Sequence, residues 1–456
     1  MTLDELVSYA KRYGFVFPGS EIYGGLANAW DYGPLGVLLY DNIKKAWMKK
    51  FVDESNNVVH LDSPIILNSK VWEASGHLKS FNDPKVDCLS CHTRERADKL
   101  IEEDSKGTID ADGMSLDEID NYIKLHQVKC PVCGAFSWTP SRTFSLMFKT
   151  SQGVVEDSSS TVYLRPETAQ GIFIDFKNVQ RVSRMKIPFG IGQAGKAFRN
   201  EITPGNFLFR VREFDQMELE YFVKPGTEDE WFNYYRSFCE NWLYSLGIKK
   251  EDLVLYDHPA QKLAFYSKGT TDIRFKYPWG FDELWGIASR TDYDLSRHMA
   301  LSKEDLNYLD PETNEKYIPY VIEPSVGIGR LFLAFILDSF INETLADGTT
   351  RELLKIHPFL APYKCVVLPL IKKVHHEKAE AVFHELSKEF IVNLDETQAI
   401  GKRYRRADAI GTPYAVTIDN ETLEDDTVTL RERDSMLQTR IKISDLRNYL
   451  RDKLEF

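Results

Sequence analysis

Phe198-Arg199-Asn200-Glu201, a turn at Thr203-Pro204-Gly205-Asn206, and a run over 207–222 carrying Arg210, Arg212, Phe214, Glu218 and Glu220 decide how this chain folds. A strand, a polar turn and a returning strand predict an antiparallel hairpin. Such a hairpin sets Arg199 close to the charged groups of the returning strand. An arginine fork grips a phosphate bidentately, and an aromatic ring stacks on a base. The same residues also read as a charged hairpin face with internal ion pairs.

Immediately upstream, Gly190-Ile191-Gly192-Gln193-Ala194-Gly195-Lys196 fits the letter of two nucleotide-loop patterns. Ala197 stands where a P-loop needs Ser or Thr, and a strand follows instead of a helix, so this stretch is not expected to cradle phosphate. Downstream, Glu323-Pro324-Ser325-Val326-Gly327-Ile328-Gly329-Arg330 runs into an apolar helix. Gly327 and Gly329 let backbone approach a ligand closely. Arg330, at the start of that helix, can reach a phosphate.

Farther out, residues 3–13 and 35–52 have helical spacing, and 58–67 is β-rich with Pro64 fit for a strand edge or end. Residues 80 to about 160 read as an insertion. From 161 to 223 the chain reads mostly as strands, 228–246 as a helix, and 253–299 again as strands. His357-Pro358-Phe359-Leu360-Ala361-Pro362 breaks the pattern and marks a boundary, after which a small α/β domain is expected.

The insertion holds two hooks, Cys88-Leu89-Ser90-Cys91 and Cys130-Pro131-Val132-Cys133-Gly134. Paired Cys-x-x-Cys turns supply the four thiolates of a closed, structural zinc site. The alternative is four reduced thiols without metal. A redox pair lacks its thioredoxin-like context, and His92 is expected to be exposed. Six cysteines in 456 residues do not make a disulfide scaffold and point to a reducing compartment. Hydrophobic residues at 43% and charged residues at 28% suit an enzyme with real cores. The net charge of −12 argues against binding nucleic acid by bulk attraction, though not against a local basic patch. Neither a signal peptide nor a membrane span is expected, since no apolar stretch is long enough.

Together, 197–222 and 322–340 resemble motifs 2 and 3 of class II aminoacyl-tRNA synthetases, and 35–66 resembles motif 1, the dimer-forming element of that class. No class I signature is present. Gly14-Phe15-Val16-Phe17-Pro18-Gly19-Ser20, Trp30-Asp31-Tyr32-Gly33-Pro34-Leu35-Gly36, Trp72-Glu73-Ala74-Ser75-Gly76-His77, Arg165-Pro166-Glu167-Thr168-Ala169-Gln170-Gly171 and Arg290-Thr291-Asp292-Tyr293-Asp294-Leu295 narrow the likeness to glycyl-tRNA synthetases of the homodimeric type. The resemblance spans nearly the whole chain. It implies an α+β fold: a class II antiparallel-sheet catalytic domain over 1–356 with a zinc-hook insertion, and an α/β anticodon-binding domain over 357–456.

The resemblance also implies roles. Glu167, Glu218 and Glu323, with Ser325, Arg96 and Phe214, would line a glycine site. Glycine offers only an ammonium, a carboxylate and two hydrogens, so acids and close walls must recognise it. Arg199 and Arg330 would be catalytic. Arg199, Asn200, Glu201, Phe209, Arg210, Phe214, Glu283, Leu284, Arg290, Gly327, Gly329 and Arg330 would hold ATP, with Glu283 on Mg²⁺. No editing domain is expected, because glycine has no smaller competitor. Lys402-Arg403-Tyr404-Arg405-Arg406 offers a basic, aromatic cluster for tRNA, with Lys402, Arg403, Arg405 and Arg406 as contacts. Without the family context it reads equally as a solvated helix face. The expected partners are glycine, ATP, tRNA(Gly) and a second copy of the chain, in the cytoplasm. Two other readings stay open: a class II enzyme for another small amino acid, and a non-catalytic RNA-binding paralogue.

Overall fold

The computed structural model describes residues 1–111, 113–154, 160–264 and 266–456. Among them the largest layer is a seven-stranded sheet: β1 (Val58–His60), β2 (Phe189–Phe198), β3 (Glu213–Val223), β4 (Leu253–Asp257), β5 (Gly269–Tyr277), β6 (Gly280–Thr291) and β7 (Tyr320–Gly327). In space they run β4-β5-β6-β7-β3-β2-β1, antiparallel throughout except where β1 joins β2. Helices α1 (Leu3–Arg12), α2 (Pro34–Met48), α3 (Ala169–Ser183), α4 (Glu228–Ser245), α5 (Tyr293–Ser302) and α6 (Ile328–Ser339) flank it.

Successive strand residues point to opposite faces, and the sequence sorts its side chains accordingly. Met217, Leu219 and Tyr221 of β3, Trp285 and Ile287 of β6, and Ile322 and Val326 of β7 join one buried cluster with Leu39 and Trp47 of α2, Trp242 of α4 and Phe335 of α6. Trp47, Phe51, Trp242 and Trp285 form a chain of rings with centroids 5.2 to 5.9 Å apart. Each buried side chain of this size contributes about 1.5–3 kcal/mol, and each ring pair adds ~0.5–1.5 kcal/mol. On the other face, Phe189, Ile191, Phe222 and Val321 pack under Ile172, Phe173 and Phe176 of α3. The remainder of that face is polar and open, and it becomes the floor of a cleft.

The structure corrects several boundaries. The stretch 161–223 contains α3, whose apolar positions at 169, 172, 173 and 176 follow a helical repeat. The returning strand of the hairpin begins at Glu213, and 207–212 stays in the turn. The stretch 253–299 ends in α5, which starts at Tyr293. Only 58–60 of the β-rich run is strand, and Pro64 lies beyond it. Gly190, Gly192 and Gly195 lie inside β2, so the nucleotide-loop pattern is a strand. A Cβ at Gly195 would stand 2.4 Å from Nη2 of Arg165, whose guanidinium crosses there to reach the Ser63 and Lys196 carbonyls.

Within the insertion, strands Asn82–Asp87, Arg94–Arg96 and Arg142–Ser145 form a small sheet against helices Ala97–Asp104 and Leu116–His126. Val86, Ile101, Ile119 and Ile123 make its separate core. Residues 155–159, at the end of the expected insertion, lie outside the described residues. Beyond 357 comes a second sheet, with β8 (Cys365–Pro369), β9 (Val392–Leu394), β10 (Tyr414–Ile418), β11 (Thr427–Glu432) and β12 (Gln438–Lys442) in the order β9-β8-β10-β11-β12. Helices α7 (Lys372–Leu386), α8 (Ile400–Ala409) and α9 (Ile443–Leu454) accompany it. A hairpin of Phe340–Thr344 and Thr350–Leu354 joins the two bodies: Arg351 donates to buried Asp408, which also accepts from Arg431. Tyr9 of α1 donates to the Ala409 carbonyl at 2.6 Å. No helix among the described residues is long and apolar enough to cross a membrane.

Candidate active site

Strand register gathers the acids. Glu218 of β3 stands opposite Ser325 of β7, and Ser325 and Glu323 stand opposite Gly286 and Ala288 of β6. Glu218 accepts from the Ser325 hydroxyl at 2.8 Å, from the Thr168 backbone N–H at 2.7 Å, and from the Thr168 hydroxyl. The loop before α3 brings Glu167 alongside, with His77 Nε2 3.4 Å from its Oε2 and Gln170 donating to its Oε1 at 2.9 Å.

Arg290 sits beneath this group. It donates to Asp294 at 2.8 and 3.0 Å and to Glu323 at 2.6 Å, and lies 3.9 Å from Glu167. It is 2% exposed and does not line the cleft. The expectation that Arg290 takes a phosphate is therefore corrected: its fork is spent on buried carboxylates, which it holds in place. One arginine faces Glu167, Glu323 and Asp294, with Glu218 and Glu220 close behind, so the cluster is short of positive charge. Burial pushes the Glu323 carboxyl up to about 8 against the pull of Arg290, and the charges of Glu218 and Glu167 push the same way. Burial and the Glu323 charge raise Glu220 well above the usual carboxylate range. Burial and then the Glu167 charge raise Glu218. Burial alone would raise Glu167, but its pairing with His77 and then the Arg290 charge outweigh it and hold Glu167 below its ordinary value.

The cleft above the acids measures about 470 Å³. Arg96, Glu201, Leu284, Gly327 and Gly329 line it together with the acids and the cations described next. Arg199 is set between two rings, its Cζ 5.6 Å from the Phe81 centroid and 5.3 Å from that of Phe214, and its Nε donates to the Pro166 carbonyl. Across the cleft, the Arg330 Cζ lies 4.3 Å over Phe209, and its Nη1 pairs with the Glu283 carbonyl and carboxylate at 3.0 Å each. Arg210 lines the same wall. Arg96 is anchored by Asp98 and Asp83. Asn200 is not brought to the cleft; its backbone N–H pairs with the Leu146 carbonyl.

Four thiols cluster in the insertion. Their sulfur atoms lie within 4.8 Å of one another, with Cys88–Cys133 and Cys91–Cys130 each at 3.6 Å. Sulfurs bound tetrahedrally at ~2.3 Å from zinc stand ~3.8 Å apart, so the set fits that ion. His92 is exposed and outside the cluster.

The basic run in α8 divides. Lys402 is exposed, Arg405 half-buried, and Arg406 tied to Asp395 and Thr397. Arg403 is only 4% exposed and donates to the Pro369, Leu370 and Asp395 carbonyls. The expectation that Arg403 contacts tRNA is corrected: it caps backbone inside its own domain.

Several residues at the site escaped sequence reasoning as individuals. Thr168 and Gln170 lie in a motif singled out above, as does His77, with Phe81 just beyond. That proximity was the available signal. Asp294 likewise follows Arg290 within its motif. His258, whose Nε2 is 2.8 Å from Asp272 on the cleft wall, carried none.

Residues 148–340 match the description "tRNA synthetase class II core domain (G, H, P, S and T)", and residues 364–453 match "Anticodon binding domain". Sheet, cleft and match agree on the class: this is a class II tRNA synthetase with an anticodon-binding domain. Full-length relatives fix the family within it. The chain is 58% identical to a glycine–tRNA ligase of Clostridium acetobutylicum, covering 100% of this chain and 99% of the relative, and 58% identical to that of Geobacillus kaustophilus, covering 100% of both. It is 57% identical to that of Bacillus anthracis, again over 100% of both chains. The chain belongs to the glycine–tRNA ligase family.

Proposed function

We propose that this protein activates glycine with ATP and esterifies it to tRNA(Gly), and that the cleft over β3, β6 and β7 is where both steps occur. The observation that carries the reading is the meeting of an acid cluster short of positive charge with two ring-mounted arginines in one cleft. An ammonium supplies the missing charge at Glu167, Glu218 and Glu323. On this reading the walls of the site exclude any side chain larger than hydrogen, since forcing a methyl into a filled pocket costs about 1–3 kcal/mol.

On this reading Arg199, Arg210 and Arg330 hold the phosphates, and Phe209 and Phe214 stack with the base. The glycine carboxylate oxygen attacks the α-phosphorus in line, forming the adenylate as the bond to pyrophosphate breaks. The arginines stabilise the added charge without reorganising. The terminal ribose hydroxyl of tRNA then attacks the carbonyl carbon, forming the ester and releasing AMP. No protein nucleophile is required. The Glu283 carboxylate, half-exposed beside Arg330, is the oxygen donor suited to Mg²⁺, which when bound neutralises phosphate charge. The four thiols are read as a structural zinc site that stiffens the insertion. Lys402, Arg405 and Arg406 are read as the RNA-facing part of α8. The 35–66 segment is read as the contact of a homodimer, and the setting as cytoplasmic.

Charging tests the proposal. The protein should form an acid-precipitable, alkali-labile ester between labelled glycine and tRNA with an intact 3′ end, and none with periodate-oxidised tRNA. Failure to charge intact tRNA(Gly), with glycyl-adenylate accumulating or absent, would contradict it.

A further inference from the structure

Asn28 lies outside the cleft, in the segment between the strands Val16–Pro18 and Trp30–Tyr32. Its Nδ2 stands 2.8 Å from the Phe207 carbonyl, 2.8 Å from that of Arg210 and 3.2 Å from that of Gly205. Its Oδ1 accepts from the Trp30 indole at 2.8 Å, which fixes which end of the amide faces the turn. The turn it grips is intrinsically poor. Asn206 and Phe207 are both left-handed, with φ of 54° and 59°, a conformation that a bulky residue such as Phe resists. Gly205 and Arg210 close it by exchanging backbone hydrogen bonds at 3.0 and 3.2 Å, and the Phe207 ring stands edge-on to Trp30 at 4.7 Å.

What leaves this turn is the nucleotide wall. The Phe209 ring faces Arg330, and its carbonyl accepts from Arg330 Nε at 3.4 Å, while Arg210 follows directly. We propose that Asn28 is a positioning residue, holding the 205–210 turn so that Phe209, Arg210 and Arg330 meet ATP in the right geometry. The proposal rests on the reading of this wall as the ATP site. Asn28 is itself left-handed, with φ 50°, a conformation Asn tolerates better than most residues.

The test is steady-state ATP–pyrophosphate exchange on the full chain, comparing the unaltered protein with Asn28→Asp and Asn28→Gly. Aspartate keeps the shape but turns a carboxylate on three carbonyl oxygens. Glycine keeps the left-handed backbone and removes the amide. KM for ATP should rise roughly tenfold or more in both variants, most in Asn28→Asp, while KM for glycine stays within about twofold and the melting temperature holds. An unchanged KM for ATP in both variants overturns the proposal. So does a fall in kcat and melting temperature with both KM values unmoved, which marks a merely structural role. If Asn28→Asp does not fold, Asn28→Gly decides. An unaltered protein that exchanges nothing overturns the activation reading, and this proposal with it. Exchange by the unaltered protein with indifferent variants overturns this proposal alone.

Discussion

Charge bookkeeping around Arg290 makes a pH prediction. Glu220 and Glu323 are held above the usual carboxylate range by burial and by neighbouring acids, Glu323 up to about 8. The native cluster therefore keeps protons that an unfolded chain gives up near 4.5. The stability this lends is full below that value and is lost as pH rises through about 8. A bound ammonium reverses the preference and favours the ionised acids. Glycine binding near neutral pH should thus release protons, and KM for glycine should fall between about pH 6 and about pH 8. Calorimetry in buffers of different ionisation heat reads the release directly; no release, or uptake, contradicts it. The same residues show what a sequence leaves unsaid. Arg290 and Arg403 each sit in a motif beside residues that line a cleft or surface, and an arginine reads alike whether it faces ligand or buried oxygen. Glu167, Glu218, Glu323, Arg199 and Arg330 were singled out through runs that resemble those of the synthetase family, and the fold brings all five to one cleft.

Elements were legible where periodicity was clean. The returning strand of the hairpin was read from its run of residues, and β3 carries Met217, Leu219 and Tyr221 on a buried face. Helix α3 was missed because its β-branched and aromatic residues resemble strand content, although its buried positions recur at helical spacing. The 207–212 segment was read as strand because nothing local forbids it; in the fold it is a turn whose carbonyls accept from Asn28, some 180 residues earlier. The cysteine hooks could be read from spacing alone, and the folded sulfurs stand close enough for one ion. One zinc per chain is expected by elemental analysis. Cys130→Ser should lose it and open the insertion to limited proteolysis, while the melting of the main sheet, with its separate core, stays close to the parent. Retention of zinc with unchanged proteolysis would count against the site.

At the scale of the molecule, the anticodon-binding body is fastened to the catalytic one through few buried polar contacts. Asp408 accepts from Arg351 of the linking hairpin and from Arg431 of its own sheet, all nearly solvent-free. Removing one charge from a buried pair typically costs about 3–5 kcal/mol, because the partner stays buried and unpaired. Asp408→Asn should lower the melting temperature markedly and weaken tRNA charging more than amino-acid activation; equal stability to the parent would show that the clasp contributes little. The boundary near 357 was visible as two prolines, but the clasp was not, since Arg351 and Asp408 meet only after both bodies fold. The acid cluster and the arginines share one cleft, which the proposed function makes a glycine site. ATP–pyrophosphate exchange across a panel of amino acids tests it most directly. Exchange should depend on glycine, with alanine and serine lower by roughly tenfold or more. Exchange with alanine or serine equal to or above that with glycine would contradict it.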